Sequence, residues 1–222
     1  MIRHLLLDLD NTLYPASSAM DEGITRRMLA FVAQYLGVSP EEGMRMRAAG
    51  LPAYGTTMEW LAAEHNLTDQ NGYFEFIHPE SEIEELQRDG KLRPYLLSLG
   101  LPMTLLTNAP MAHARRLLKF FDIEDIFLGV YDLTFNKGLG KPHPDSFRSA
   151  IDPSGFSVEE TLFVDDHPKH VKGYKAIGGK AVIVDETGRY PELARAEGYG
   201  HIRTIYELAQ LLTAFADPAI TI

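Results

Sequence analysis

The sequence predicts an α/β fold in which helices cover a parallel sheet. Short apolar runs alternate along the chain with segments of helical periodicity, which is the pattern that βαβ units produce. Three of these runs end on polar residues, and in such folds ligands bind beyond the carboxyl ends of the strands. The stretch between the first and second runs has helical patterns but no strand pattern, so a helical insertion is expected there.

The composition is that of an ordinary globular protein. A chain of 222 residues with 45% hydrophobic side chains predicts one domain, or one domain that carries an insertion. The formal net charge of −10 opposes binding to nucleic acid polymers. The sequence has no cysteine, which excludes disulfides and thiolate chemistry and fits a reducing compartment. Since no apolar run approaches the ~18 residues of a membrane span, we expect a cytoplasmic protein with no membrane partner.

The predicted strands are short and almost wholly apolar. Residues 2–7 form a nearly continuous apolar run, as expected of a strand that is buried on both faces of a parallel sheet. The same pattern predicts strands over 103–106, 161–164 and 181–184, and a shorter one over 130–131.

Helical segments lie between these strands and after them. The clearest begins after Ser17 or Ser18, either of which can cap it, and ends at Gly37, a residue type common at helix C-termini. The strongly charged segment 80–91 is interpreted as a solvated helix face. Core helices are also predicted over 111–121, 144–151, 168–177 and 205–215.

Two pairs of carboxylates follow predicted strands. Asp8 and Asp10 come directly after the first strand, and side chains two apart at a strand end can face the same space. Asp165 and Asp166 end another strand. Like charges at close range need a compensating cation, and Mg²⁺ prefers oxygen ligands of this kind. The sequence therefore predicts a Mg²⁺ site built from these acids.

Polar residues of other types complete a predicted phosphate site. Lys141, which precedes a predicted helix, can neutralise an acidic cluster and hold a phosphate oxygen. Thr107 and Asn108 supply a hydroxyl and an amide at a third strand end. A helix starts soon after Pro110, and its N-terminal N–H groups suit an anion.

These motifs resemble those of the haloacid dehalogenase (HAD) superfamily of aspartate-nucleophile phosphohydrolases. The family's four motifs correspond to DLDNT at 8–12, TN at 107–108, Lys141 and VDD at 164–166. The resemblance implies a Rossmann-like core, residues 1–15 and 92–222, with a small helical cap of residues 16–91 inserted after the first strand. A narrower similarity, to the pyrimidine 5′-nucleotidase branch, is carried by DNTLYP at 10–15, YG at 54–55, TNAPMAHARRLL at 107–118 and KPHPDSF at 141–147.

By this resemblance Asp8 is the nucleophile and Asp10 is the general acid and base, a cycle that requires a carboxyl group with a raised pKa. Thr107, Asn108 and Lys141 would hold the phosphate oxygens. The implied Mg²⁺ ligands are Asp8, the backbone carbonyl of Asp10, and Asp166, with Asp165 acting through water or orienting Lys141. An acid at position 10 favours phosphate chemistry over halide release, which needs no proton donor there.

The resemblance implies a Mg²⁺-dependent phosphomonoesterase for a small phosphorylated metabolite, with pyrimidine nucleoside 5′-monophosphates preferred. Alternatives are a phosphatase for another metabolite, such as a sugar phosphate, phosphoglycolate or pyridoxal phosphate, or a non-catalytic phosphate sensor on the same fold. A monomer or a homodimer is expected.

Some residues in and beside the cap remain open at this level. Tyr54 is the cap residue expected to contact the substrate. His167 and His170 stand where the nucleotidase branch has Ser and Asn, and we interpret them as the start of a helix rather than a second metal site or a pH sensor. Further candidates for the substrate pocket, each of which can equally be packing residues, are Trp60, His65, Tyr73, Phe74 and Arg26 or Arg27.

Overall fold

Six parallel strands form the centre of the fold, in the order β3-β2-β1-β4-β5-β6. The structure is a computed structural model and describes residues 1–135 and 137–216. In chain order the strands are β1 His4–Leu7, β2 Met103–Leu106, β3 Phe127–Tyr131, β4 Thr161–Asp165, β5 Lys180–Val184 and β6 Gly200–Ile202. The prediction of a parallel α/β sheet is confirmed.

Helices connect the strands and cover the sheet. They are α1 Ala19–Leu36, α2 Pro40–Gly50, α3 Thr57–His65, α4 Gln70–Ile77, α5 Leu92–Ser98, α6 Met111–Phe120, α7 Pro144–Ile151, α8 Pro168–Ala176, α9 Pro191–Glu197 and α10 Leu208–Ala216. A 3₁₀ helix, Glu80–Glu85, lies between α4 and α5. In the part of the chain that the structure describes, no helix is long and apolar enough to cross a membrane.

The register of β1 determines which side chains meet at the carboxyl edge of the sheet. Leu7 on β1 pairs with Leu105 on β2 and with Val164 on β4. The next residue, Asp8, donates its backbone N–H to the Val164 carbonyl over 2.9 Å. Asp8 and Asp165 therefore lie side by side, although they are far apart in the sequence.

The sheet is packed on both faces, as the continuous apolar runs predict. One face belongs to a cluster that contains Leu5, Leu7 and Leu105, and the other to a cluster that contains Leu6 and Phe163. Burial of apolar surface against helices on both sides stabilises the sheet and fixes its carboxyl edge.

The predicted boundaries agree with the structure where the local signals are strong. α1 begins after Ser18 and ends before Gly37, whose φ of +67° is the left-handed conformation that glycine adopts without strain. The Ser18 side chain makes no capping hydrogen bond among the described residues, so the expectation of a serine cap there is wrong. The last predicted helix, 205–215, instead begins as a 3₁₀ helix, and the α-helix starts at Leu208.

Two short elements near the end of the core were missed. β6 has only three residues, one of them glycine, and it forms through pairing with β5 rather than through its own pattern. The sequence pattern also does not predict α9, which has seven residues. Residues 217–222, which the predicted core includes, lie outside the described residues.

A third apolar cluster lies in the helical insertion, residues 16–91. These residues are all described by the structure and contain helices but no strand. We call the buried set the insertion cluster; it consists of Val32, Met58, Trp60, Leu61, Leu67, Tyr73, Phe74 and Ile77, with Leu133 from the segment after β3. The insertion thus has an interior of its own, and Leu133 contributes to it from the sheet side.

Candidate active site

A cavity of about 290 Å³ lies between the carboxyl edge of the sheet and the helical insertion. From the sheet side it is lined by Asp8, Asp10, Thr107, Asn108, Lys141 and Asp166, and from the insertion by Ile24, Met28, Arg47, Met58, Tyr73, Phe74, Ile77 and His78. One end of the cavity is therefore acidic and polar, and the other is mainly apolar. Of the eight residues predicted for the phosphate, metal and substrate contacts, Tyr54 and Asp165 do not line it.

Lys141 is fully buried between two carboxylates. Its Nζ lies 2.6 Å from Asp8 Oδ1 and 2.6 Å from Asp165 Oδ2. Burial alone would lower the pKa of Lys141, but the charges of Asp165 and Asp8 outweigh it and raise the pKa above its ordinary value. Lys141 is therefore a permanent cation at the floor of the cavity, which is where the sequence predicts it.

The neighbouring acids need more positive charge than Lys141 supplies. Burial raises the pKa of Asp8 to about 8 against the opposing charge of Lys141. Burial and the charges of Asp165 and Asp8 raise the pKa of Asp166 well above its ordinary value. Within the described residues, Asp166 has no hydrogen-bond or ion-pair partner. The carboxylate oxygens of Asp8, Asp165 and Asp166 all lie within 4.8 Å of one another. This oxygen donor set fits a divalent metal ion.

Asp165 is satisfied by protein groups. Besides Lys141, it accepts hydrogen bonds from the His167 backbone N–H over 2.8 Å and meets His170 Nδ1 at 3.0 Å. Burial would raise the pKa of Asp165, but His170 and Lys141 hold it well below its ordinary value. Asp165 therefore belongs to the acidic cluster and at the same time holds Lys141 in place.

The histidines after Asp165 do what the sequence interpretation expects of a helix start. His167 precedes α8, and its Nδ1 accepts the Lys169 backbone N–H over 3.2 Å. Its ring stacks on that of His170, with centroids 4.6 Å apart. Burial, and then the charge of His170, lower the pKa of His167 to about 4. Both rings also line the cavity.

Asp10 is anchored through one of its two oxygens. Its Oδ1 accepts a hydrogen bond from the Tyr14 hydroxyl over 2.7 Å and lies 2.7 Å from His113 Nε2. Its Oδ2 has a single long contact, 3.5 Å to Thr107 Oγ1. Burial alone would raise the pKa of Asp10, but His113 and Tyr14 bring it well below its ordinary value. The expectation of a raised pKa is therefore wrong for the groups that surround Asp10 here, because that expectation did not include His113.

A buried chain of charged groups continues from His113. Its Nδ1 lies 2.8 Å from Glu82 Oε1, while Glu82 Oε2 lies 2.9 Å from His78 Nδ1. Arg116 also donates to Glu82 Oε1. Burial would lower the pKa of His113, but Asp10 and Glu82 raise it to about 9. The pKa of Glu82, which burial would raise, falls to about 2 through its bonds to His113 and His78.

This chain corrects the sequence interpretation of segment 80–91 as a solvated helix face. Glu82 is 1% exposed and His113 is fully buried. The nitrogens and oxygens of His78, Glu82 and His113 are close enough to hold a metal ion, but in the structure these groups are bonded to one another and to Arg116 and Asp10. The sequence feature that could have indicated this chain of charged groups is a histidine in the first turn of the helix that follows Thr107 and Asn108.

Thr107 and Asn108 come together with Lys141 in a tight arrangement. The Thr107 hydroxyl accepts the Ala109 N–H over 3.0 Å. Both hydrogen-bonding groups of the Asn108 amide are directed to the Lys141 backbone, at 2.7 Å and 2.9 Å. The N-terminus of α6 is less open than predicted, because Asp132 Oδ2 already accepts the Met111 N–H over 3.0 Å.

Tyr54 is directed away from the cavity. Its hydroxyl donates to Glu64 Oε1 over 2.9 Å, and its carbonyl accepts a hydrogen bond from Lys169 on α8. Its neighbour Gly55 lines the cavity instead. A Cβ atom at position 55 would lie only 3.0 Å from the Lys141 carbonyl oxygen, so the close approach of this loop to the sheet edge favours glycine.

The other candidates in the insertion divide between cavity wall and packing. Tyr73 and Phe74 line the cavity. Trp60 is buried in the insertion cluster, with the His65 ring against it at 4.8 Å. Arg27 pairs with Glu85 at 2.7 Å, and the Arg26 side chain is mostly exposed.

Arg47 is a cavity residue that sequence reasoning missed. Its Nε donates to Thr57 Oγ1 over 2.8 Å. Among the described residues it has no carboxylate partner, and burial lowers its pKa despite the opposing influence of Tyr73. A half-buried guanidinium that has no carboxylate partner among the described residues gives the apolar end of the cavity a strong hydrogen-bond donor.

Two curated proteins are similar in sequence to this chain. Phosphate metabolism protein 8 of Saccharomyces cerevisiae is 28% identical over 190 residues, which cover 79% of this chain and 59% of that protein. Phosphatase MT3486 of Mycobacterium tuberculosis is 27% identical over 180 residues, covering 67% of this chain and 80% of that protein. The chain thus spans less than two thirds of the first of these relatives.

The fold and the family are supported separately. A HAD phosphatase from Thermococcus onnurineus has a similar structure, with a TM-score of 0.65 and 22% identity over 95% of this chain and 98% of that chain. This likeness shows the fold alone. Residues 2–178 match the sequence model of the haloacid dehalogenase-like hydrolases, which is most of the chain. The chain therefore belongs to the haloacid dehalogenase-like hydrolase family.

Proposed function

We propose that the protein is a metal-dependent phosphomonoesterase in which Asp8 is the nucleophile. The observation that carries the proposal is the position of Asp8 at the cavity floor, 2.6 Å from the buried Lys141 cation and beside the unpaired Asp166. Lys141 offsets the negative charge of Asp8, which would otherwise repel a phosphate dianion.

The reaction has two halves. In the first, an Asp8 oxygen forms a bond to phosphorus, the bond from phosphorus to the leaving oxygen breaks, and Asp10 gives that oxygen a proton. In the second, water forms a bond to phosphorus and gives its proton to Asp10, while the bond to Asp8 breaks and inorganic phosphate leaves. The low pKa of Asp10 keeps its carboxyl group unprotonated, which is the form that the second half needs. For the first half, a bound phosphate dianion would place negative charge beside Asp10 and raise its pKa.

Mg²⁺ is the metal proposed for the acidic cluster. Asp8, Asp166 and the backbone carbonyl of Asp10 would hold it, with Asp165 in contact through water. When bound, the ion supplies positive charge that stabilises the phosphoryl oxygens. Thr107, Asn108 and Lys141 would position the remaining phosphate oxygens, and positioning is the dominant contribution in phosphoryl transfer.

We also propose that residues 16–91 form a cap over a core of residues 1–15 and 92–222. The insertion has its own apolar cluster and supplies the wall of the cavity opposite the acids. A cap in this position would enclose the leaving group and exclude water from it.

Arg47 guides the choice of substrate. In a pyrimidine nucleoside 5′-monophosphate, which remains our first candidate, the base carries carbonyl oxygens that a guanidinium can bind. The unpaired charge of Arg47 equally favours a second candidate, a phosphomonoester whose leaving group bears a carboxylate, such as phosphoglycolate.

A phosphate-release assay tests these proposals. The panel contains UMP, CMP, phosphoglycolate, glycerol 3-phosphate, a sugar phosphate and pyridoxal phosphate, with Mg²⁺ or a chelator. We expect Mg²⁺-dependent release that Asp8→Asn abolishes while the protein stays folded. Release by Asp8→Asn would contradict the nucleophile assignment, and no release from any compound would favour a phosphate sensor.

The Arg47→Met variant tests whether Arg47 recognises the leaving group of the substrate. It should raise KM by about 10-fold or more for whichever of UMP and phosphoglycolate is the substrate, since a charge-assisted hydrogen bond is worth about 1.5–3 kcal/mol. Glycerol 3-phosphate, which carries neither a base nor a carboxylate, is the matched control. Equal changes in KM for all three compounds would exclude Arg47 from recognition of the leaving group.

A further inference from the structure

We propose that His113, held in place by Glu82, is a positioning residue that directs Asp10 to the attacking water when the phosphoenzyme is hydrolysed. The inference rests on the proposed phosphomonoesterase function and goes beyond it, because it assigns a role to a buried arm outside the acidic cluster. The arm consists of Glu82 and His113.

The hydrogen bonds of Asp10 distinguish its two oxygens. Oδ1 is fixed from two sides, by the Tyr14 hydroxyl and by His113 Nε2, each at 2.7 Å. Among the residues that the structure describes, Oδ2 has only the 3.5 Å contact with Thr107. A carboxylate that takes a proton from water needs one oxygen free and correctly aimed. Anchoring Oδ1 fixes the carboxyl group and leaves Oδ2 free to accept that proton.

His113 can act as a rigid connection because both of its ring nitrogens are engaged. Nε2 meets Asp10, and Nδ1 meets Glu82 Oε1 at 2.8 Å. The imidazole is planar and fully buried, so bonds at both ends fix its tilt as well as its rotation about Cβ. Tyr14 alone would leave the carboxyl group free to rotate about the hydroxyl contact.

Glu82 is itself held in place. Glu82 Oε2 lies 2.9 Å from His78 Nδ1. Arg116 donates to Glu82 Oε1, which is the oxygen that also contacts His113. His78 follows α4 and lines the cavity. The arm therefore connects the wall of the cavity to the carboxylate that faces the phosphoryl group.

The hydrolysis step balances with the groups present. The oxygen of water forms a bond to phosphorus, its proton passes to Asp10 Oδ2, and the bond between phosphorus and Asp8 breaks. Asp8 regains its electron pair and inorganic phosphate departs. His113 takes no part in these bond changes, so its removal should slow this step without altering the chemistry of phosphoenzyme formation from an activated ester.

The test uses p-nitrophenyl phosphate, whose leaving group departs without a proton. For His113→Leu in Mg²⁺ buffer we expect kcat to fall about 100-fold, the lower end of what a placed proton acceptor contributes. KM should fall in parallel, so that kcat/KM stays within about 3-fold of wild type, because kcat/KM covers only the steps up to phosphoenzyme formation.

Stopped-flow and acid-quench measurements supply a second readout. His113→Leu should show a burst of p-nitrophenolate approaching one per active site, and intact-mass analysis after the quench should detect the phosphoenzyme. His113→Gln, whose amide can still donate to Asp10, should recover part of kcat. If His113 contributed only packing, its replacement by Leu would lower kcat and kcat/KM together and produce no burst.

His201→Leu is the matched control. His201 also pairs with a carboxylate, Asp185 at 2.9 Å, but it does not line the cavity, and its variant should keep the wild-type kcat. Parallel loss of kcat and kcat/KM without a burst in His113→Leu, while turnover remains dependent on Mg²⁺ and Asp8, would overturn this inference alone. Turnover by Asp8→Asn would overturn the proposed function and this inference with it.

Discussion

Asn108 binds the backbone of Lys141 through both ends of its side-chain amide. The Lys141 N–H donates to Asn108 Oδ1 over 2.7 Å, and Asn108 Nδ2 donates to the Lys141 carbonyl over 2.9 Å. Two strand-end loops are thereby joined, and the lysine enters the cavity floor from a fixed point. The position of the Lys141 cation therefore depends on Asn108, a residue that the sequence predicts to hold a phosphate oxygen.

Replacement of Asn108 should lower the stability of the protein, because Asn108 holds the backbone of Lys141. We expect Asn108→Ala to lower the free energy of unfolding by about 2 kcal/mol, since each of two hydrogen bonds contributes about 1 kcal/mol. Thermal unfolding would register this as a drop in Tm of roughly 2–4 °C per kcal/mol. Asn71→Ala, which removes an exposed amide on α4, is the control. An unchanged Tm for Asn108→Ala would show that the two bonds add nothing to stability.

Removal of the Lys141 charge should lower stability more than Asn108→Ala does. Lys141→Met leaves Asp8 and Asp165 buried without their shared cation, and a broken buried pair costs about 3–5 kcal/mol. Chemical denaturation measures this loss, and phosphate release should fall by at least about 100-fold. A folded variant that kept wild-type kcat would contradict the role assigned to this lysine.

Metal binding should stabilise the folded protein through Asp166. Mg²⁺ at about 100 times its Kd would add about 2.7 kcal/mol to the free energy of unfolding, which corresponds to a rise in Tm of roughly 5–10 °C. Asp166→Asn should abolish most of this rise. Asp145→Asn removes an exposed carboxylate on α7 and should leave the rise intact. Equal Mg²⁺ responses in the two variants would place the metal elsewhere.

His4 should make stability sensitive to mild acid. It is fully buried between Thr161 and Thr104, at 3.0 Å and 2.9 Å, and burial lowers its pKa to about 4. Because the folded pKa lies below the unfolded value of about 6.5, the contribution of His4 to stability is complete above that value and is lost as pH falls toward 4.

A comparison of unfolding at pH 7 and pH 5 measures the effect. Wild type should lose about 2 kcal/mol more than His4→Gln between these conditions. Gln can replace both hydrogen bonds but does not titrate. Identical losses in the two proteins would show that His4 accepts a proton in the folded state as easily as in the unfolded chain.

The acidic site was predictable because it depends on strand ends. Asp8 and Asp165 each end an apolar run, and parallel strands bring their carboxyl ends to one edge. The arm from Glu82 to His113 was not predictable in this way. Glu82 meets His113 because of the path that the chain takes after α4. A charged stretch such as 80–91 is normally solvated, so its sequence does not indicate a buried glutamate. Tertiary packing decided which of its glutamates became buried.

Arg47 shows the same limit. One arginine on a charged surface helix carries no pattern that separates it from Arg45, which is exposed and pairs with Glu42. The difference arises from the orientation of α2 against the cavity, which local sequence does not specify.

The pairing of Leu7 with Leu105 has an evolutionary consequence. β1 and β2 are neighbours in the sheet, and residues 16–91 leave and return between them without changing their register. During evolution an insertion of different length or sequence could therefore replace residues 16–91 and allow different substrates. The residues at the carboxyl edge of the sheet could stay the same.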